Sequence, residues 1–349
     1  MSDAPAAASS TGTGAEPGAA SGAAPRVQAV VLLVLRRALW AVPLVLAVSA
    51  LVFLLASLTP ADATSGFLGA RGEFVDAGTR EAVRELLDQG AWWQAWLAWW
   101  QGAVTGDWGT STILRTPVAE TLVARVPWTA LVMTAGLALG ALIAVPLAVA
   151  AARRPDGPLG TVLTAVAWVL SAAPAYVVGL GLLLVLAIVL GWFPAGGLAP
   201  PGEPLTAGTV ARHAVLPSLA VGLSQVPWIA LHLHAALVGA RSSDAVLAAR
   251  LRGLAPRTVT SRHLLPVAVV PLLALLGTRL PELVVGAALV ETVFSWPGLG
   301  QAMVDAAVGR DLALLAGTTV CLTLLVLLGN LLADAALVLA DPRVRPDEL

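Results

Sequence analysis

The chain has 349 residues, 58% of them hydrophobic and only 12% charged, with a net charge of −1. A soluble domain carries about a quarter charged residues, so this balance points to lipid as the solvent, and the near-zero charge speaks against nucleic-acid binding. All 20 strongly basic residues are arginines, and without lysine the chain cannot build a GxxxxGK[ST] phosphate loop or a Schiff base, so any ATP hydrolysis belongs to another subunit.

Residues 1–26 are Ala, Ser, Gly, Thr and Pro without apolar periodicity, and predict a disordered tail. Six apolar runs follow, at roughly 38–58, 129–151, 160–190, 214–240, 264–290 and 313–339. Each is long enough to cross a hydrocarbon core of about 30 Å as a helix, the form that satisfies its own backbone there. The expected fold class is therefore all-α: a polytopic membrane helix bundle of about six transmembrane helices. Pro43, Pro146, Pro174, Pro217, Pro227, Pro271 and Pro281 predict kinks inside these runs. Cys321, the single cysteine, falls in the sixth run and reads as a buried thiol.

Arginine placement sets the expected orientation. Arg36 and Arg37, Arg153 and Arg154, the group from Arg241 to Arg262, and Arg343 with Arg345 all fall on one side, whereas the two short loops opposite hold only Arg212 and Arg310. The positive-inside rule then puts both termini in the cytoplasm. Arg36-Arg37, the first apolar run and Ala61-Asp62-Ala63 imitate a signal peptide, but the run exceeds a typical signal core and predicts an uncleaved helix. In the long outer segment, 59–128, Trp92, Trp93, Trp96, Trp99 and Trp100 share one helical face. That stripe, after the charged stretch around Arg80 to Asp88, predicts an interfacial helix on the outer membrane surface, with carbohydrate or peptide stacking as the alternative.

The largest inner loop, 241–263, has the grammar of a short capped helix. Ser243 can cap it, Asp244 complements its positive end, Gly253 can take the left-handed position that closes it, and Pro256 follows as a stop. Leu247, Leu251 and Leu254 form one apolar edge, while Arg250 and Arg252 project elsewhere. Such a helix suits docking into another protein's groove; an inside-facing basic loop set by topology alone is the alternative.

From Asp244 to Gly253, with Ala249-Arg250 and the glycine three residues on, this loop resembles the cytoplasmic "EAA" loop of binding-protein-dependent ATP-binding-cassette importer permeases, of MetI-like fold. Further stretches resemble the dipeptide/oligopeptide/nickel branch in order: Arg36-Arg37, Gly106-Asp107-Trp108-Gly109-Thr110-Ser111, Pro117-Val118, and Gly191 through Gly197. His213 through Pro217, Arg262-His263 with Pro266, Val290 through Gly300, Arg310-Asp311, Asn330, Asp334 and Asp341-Pro342-Arg343 complete the series. The chain departs from the pattern at Ala245, where an aromatic is usual, and at Leu247, Leu231 and His234, where polar or basic residues are common. Pro60-Ala61-Asp62-Ala63 stands where Pro-Gly-Asp-Pro is common.

The resemblance implies a permease subunit of an importer in the plasma (inner) membrane of a prokaryote, most readily for peptides, with nickel or another small solute as the alternative. It implies a second homologous permease subunit, two ATPase subunits that use ATP and Mg, and an extracytoplasmic substrate-binding protein as partners. This chain then needs no cofactor and no catalytic residue. Asp244, Val246, Leu247, Ala249, Arg250, Leu251, Arg252, Gly253 and Leu254 become the expected ATPase contacts. Along the chain this gives a tail at 1–26, a first helix with its outer segment at 27–116, the importer domain at 117–340 and a cytoplasmic tail at 341–349.

Three polar residues in the spans are candidates for the pathway: Gln225, Arg279 and Glu282. Arg279 and Glu282 are spaced to pair on one helical face, which equally allows a structural brace around Pro281. His232 and His234, two apart, point to different faces and do not form a chelating pair. Asn330 and Asp334, four apart, suit helix-to-helix hydrogen bonding. A stand-alone secondary transporter would favour inverted repeats and midplane acids, of which only Glu282 qualifies; an intramembrane enzyme would need a motif such as HExxH or GxSxG, which the chain lacks.

Overall fold

The computed structural model describes residues 23–58, 91–154 and 157–340, and among these it holds helices and turns but no strand beyond an isolated bridge between Thr110 and Pro117. In chain order they are α1 (Ala23–Leu58), α2 (Trp92–Thr105), α3 (Val118–Ala152), α4 (Pro158–Ser171) and α5 (Ala175–Leu182), the last continued by a π-helical stretch, Leu183–Val189. Then come α6 (Ala207–Ala240), α7 (Asp244–Leu251), α8 (Pro256–Val259) with the π-turn Thr260–Leu264, α9 (Leu265–Val293), α10 (Leu299–Gly309) and α11 (Leu312–Ala340). Helix α1 starts at Ala23, so residues 23–26, expected in the tail, are helical; the rest of the tail, 59–90 and 341–349 lie outside the described residues.

Four helices are long and apolar enough to cross a membrane: Val34–Leu58 of α1, α3, α6 and Leu312–Leu339 of α11. Two bent pairs bring the number to as many as six, if each pair is one span. The third expected span is not one kinked helix: α4 meets α5 with its π-helical continuation at 97°. Pro174 explains the break, because it lacks an N–H and pushes the residue before it out of helical geometry. The fifth bends by 66° between Leu273 and Gly277, where Pro281 cannot donate to the Gly277 carbonyl. By contrast Pro146, Pro217 and Pro227 sit inside continuous helices.

Helices α3 and α6 form the spine. They run parallel and make the most extensive helix–helix contact. Gly136 and Gly140, four apart, let the backbones meet: a Cβ on Gly140 would stand 2.8 Å from the Gly222 carbonyl oxygen, and one on Gly222 equally close to that of Gly136. Close approach through small residues is how helices gain dispersion contacts when lipid removes the hydrophobic drive between them. The apolar window of α6 is 72% buried against 17% for α1, so α6 is central and α1 peripheral.

Helix α1 is held to the bundle by two polar devices. Arg37 pairs with Asp334 of α11 at 2.5 Å, which gives Asp334 a charged partner rather than only the hydrogen bond expected of it. Ser49 of α1, itself fully buried, receives the indole N–H of both Trp96 and Trp100 at 3.0 Å. Trp99 packs against Phe53 of α1 and against Trp108. The tryptophan stripe of α2 therefore turns inward onto α1. The expected interfacial helix thus also makes a helix–helix contact, in which two indole donors find a buried hydroxyl as acceptor, while Trp93 stays exposed.

Candidate functional site

The loop 241–263 folds as a hook at one end of the bundle. Arg241 closes α6 by donating to the carbonyls of Ala152 and Arg153 at the end of α3, tying the two spine helices together. Helix α7 then runs for eight residues. Ser243 stands at its N-cap position, but its hydroxyl turns back to the Ala240 carbonyl at 2.8 Å, so it does not cap by its side chain as expected. The C-terminal end closes as a Schellman turn: Leu254 N–H donates to Ala249 O at 3.2 Å and Gly253 N–H to Arg250 O at 2.9 Å. Gly253 has φ of +71° while a Cβ there would meet nothing within 4 Å, so glycine is required by backbone conformation alone. Pro256 opens α8 rather than merely stopping α7.

Of the nine expected contact residues, Val246 and Ala249 point inward. They join Ala148, Leu233, Leu237 and Leu264 in an apolar core at the ends of α3, α6 and α9. Buried at 0% and 2%, these two anchor α7 and present no surface to a partner. Asp244, Leu247, Arg250, Leu251, Arg252, Gly253 and Leu254 are exposed, and Leu251 reaches 80%. The apolar edge Leu247–Leu251–Leu254 is therefore solvent-facing, with no covering element among the described residues.

The opposite end is closed by buried charge. Glu291, with no exposed surface, accepts from the N–H of Gly300 at 2.7 Å and Gln301 at 3.2 Å. Thr129 of α3 accepts from Leu299 N–H at 2.7 Å. All three first-turn amides of α10 are thus satisfied from α9 and α3, with a carboxylate at the positive helix end. Gly298 and Gly300 make the approach possible, since a Cβ on Gly298 would fall on the Glu291 carboxylate and one on Gly300 on Ala288. Trp296 donates to the Trp128 carbonyl at 3.1 Å, and Arg125 to that of Gly298 at 3.2 Å. The stretch Val290 through Gly300 is a folding junction.

Asp311 makes a second knot there. Buried, it accepts from Ser111 Oγ at 2.6 Å, from Ile113 N–H at 3.2 Å and from Leu314 N–H at 3.0 Å. One carboxylate so caps α11 and fixes the turn that follows Trp108. Sequence reasoning did not single out Glu291 or Asp311 as structural caps. The available signal was an acid followed, at nine residues, by glycines opening a helix, and an acid directly before a helical run.

Of the three pathway candidates, two pair with each other. Gln225, 7% exposed, lies between α3 and α6 with its amide on Ser224 Oγ at 3.2 Å, facing no open space in this chain. Arg279 and Glu282 do pair on α9, and the Arg279 guanidinium lies 5.3 Å from the centre of the Trp228 ring. His232 lies against the same ring, with centroids 4.8 Å apart and planes tilted by 40°, and its Nδ1 is 2.9 Å from the Trp228 carbonyl oxygen. The Glu282 side chain is 64% exposed.

The chain is similar to several curated proteins along nearly its whole length. It is 29% identical to the oligopeptide transport system permease protein AppB of Bacillus subtilis, over 89% of this chain and 98% of the relative. A putative peptide permease protein of Brucella suis matches at 30%, with the same coverage of both chains. The glutathione transport system permease protein GsiC of Escherichia coli matches at 31%, over 89% of this chain and 98% of its own. A model of the family described as binding-protein-dependent transport system inner membrane component matches residues 144–346. With that match covering more than half of the chain, including α6, α7, Glu291 and Asp311, the chain belongs to this family, as a multi-pass membrane permease subunit rather than an enzyme.

Proposed function

We propose that this chain forms half of the translocation pathway of an ATP-driven peptide importer. The relatives named for oligopeptides, peptides and glutathione support the substrate class. Helix α7 serves as the coupling helix, and the observation that carries this role is its unpartnered edge of Leu247, Leu251 and Leu254 beside Arg250 and Arg252, held rigid by Val246 and Ala249. A rigid hook fused to the ends of α3, α6 and α9 transmits a push from an ATPase dimer into the spine, as rigid-body switching requires. ATP and Mg act in two partner ATPase subunits. A second permease subunit completes the pathway, and an outer binding protein delivers substrate.

In this arrangement α7 and both termini face the cytoplasm, in keeping with arginine placement. Glu282, exposed at the depth of a spanning helix, faces the aqueous pathway or the second subunit, because a charge there is costly against lipid. The test is affinity purification of the tagged full-length chain in mild detergent, with mass spectrometry of what accompanies it and uptake of labelled peptides. P-loop ATPases and a second permease should be recovered, and lost when Gly253 and Arg250 are replaced. A chain that purifies alone and moves solute without ATP would overturn the reading.

A further inference from the structure

A cavity of about 810 Å³ opens behind α7, between it, the ends of α3 and α6, and α8. Five arginines line it: Arg153 and Arg154 from the end of α3, Arg241 from that of α6, Arg250 from α7 and Arg257 from α8. Among the described residues no acidic one lines it. Arg241 is committed to two carbonyls. The other four are exposed and form no ion pair among the described residues, Asp156 lying outside these. The floor is apolar, made by Val149, Leu237, Val259 and Leu264.

Four guanidinium groups without an acidic partner among the described residues, over an apolar floor, call for an amphiphile with an anionic head. At about 30 Å³ per water molecule, the space far exceeds what one inorganic anion fills. Helices α3 and α6 both end at this cavity, at Ala152 and Ala240. In a membrane that is the headgroup level, where basic pockets between spanning helices meet anionic lipid. We propose that this cavity binds the phosphodiester headgroup of an anionic phospholipid, with its acyl chains leaving along the apolar floor. Arg250 and Leu254 belong to the α7 hook and Arg153 and Arg154 to the spine, so the bound phosphate bridges the hook to the bundle.

Native mass spectrometry of the full-length chain in mild detergent, with phosphatidylglycerol or phosphatidylcholine added, tests this. Phosphatidylglycerol should be retained as a single adduct, at least about tenfold more tightly than phosphatidylcholine. Replacing Arg154 and Arg257 together by glutamine should abolish that preference, replacing them by lysine should keep most of it, and melting in detergent alone should stay unchanged. Equal retention of the two lipids by the unaltered chain overturns the proposal without reference to any variant. So does displacement of the lipid by millimolar inorganic phosphate, which would mark a free-anion site. A glutamine variant that keeps the lipid but loses co-purifying ATPase would assign these arginines to a protein partner instead, and equally overturns it.

Discussion

The two ends of the bundle solve opposite problems. At the end closed by Glu291 and Asp311, both carboxylates are buried and meet amide or hydroxyl donors of neighbouring elements. At the α7 end, arginine charge is exposed and lacks an acidic partner among the described residues, and the hook is anchored by two small apolar side chains. The first end is closed by contacts within one chain, with Glu291 Oε1 alone of the two carboxylates' oxygens meeting no donor among the described residues. The second presents an apolar edge and free guanidinium groups, the state expected of a surface finished by something else. Buried polar groups are costly unless satisfied, so a closed knot resists change, whereas an exposed edge tolerates it until a partner arrives.

That contrast can be broken most severely at Gly300. A Cβ there collides with Ala288 backbone, so Gly300→Ala should lower the stability of the purified chain by about 3 kcal/mol in thermal unfolding. Asp311→Ala strands Ser111, Ile113 and Leu314 donors and should cost about 2 kcal/mol, with Asp311→Asn recovering part of it. Glu291→Gln keeps an acceptor for α10 but removes the charge, for about 1 kcal/mol in the same assay.

At the other end the order of stability and function inverts. Gly253→Ala forces a side chain into positive φ, at a local cost of about 1 kcal/mol, and should uncouple ATP hydrolysis from uptake while global melting barely moves. Leu251→Ala, at an exposed site, should change stability by no more than about 0.5 kcal/mol. It should nevertheless weaken ATPase association about tenfold in a pull-down titration. If Leu251→Ala destabilised the isolated chain as much as Asp311→Ala does, the two ends would not differ in kind.

The sequence by itself determined the spans, because lipid demands long apolar helices and their lengths are readable. It also determined the hook: Gly253 and the leucine spacing act within a single turn, and local geometry is legible locally. The Gly136–Gly140 spacing, not singled out in the sequence, marks where α3 and α6 touch. Only the tertiary structure decided that the third span breaks at 97° rather than kinking at Pro174, since neighbours determine how a proline's lost hydrogen bond is accommodated. It turned the tryptophan stripe onto Ser49, moved Gln225 into a helix interface and buried Val246 and Ala249. Sequence periodicity names a face of a helix, but not what lies against it. The carboxylate knots belong to the same class: Ser111 and Asp311 are 200 residues apart, and a hydrogen bond across that distance exists only once the bundle has closed.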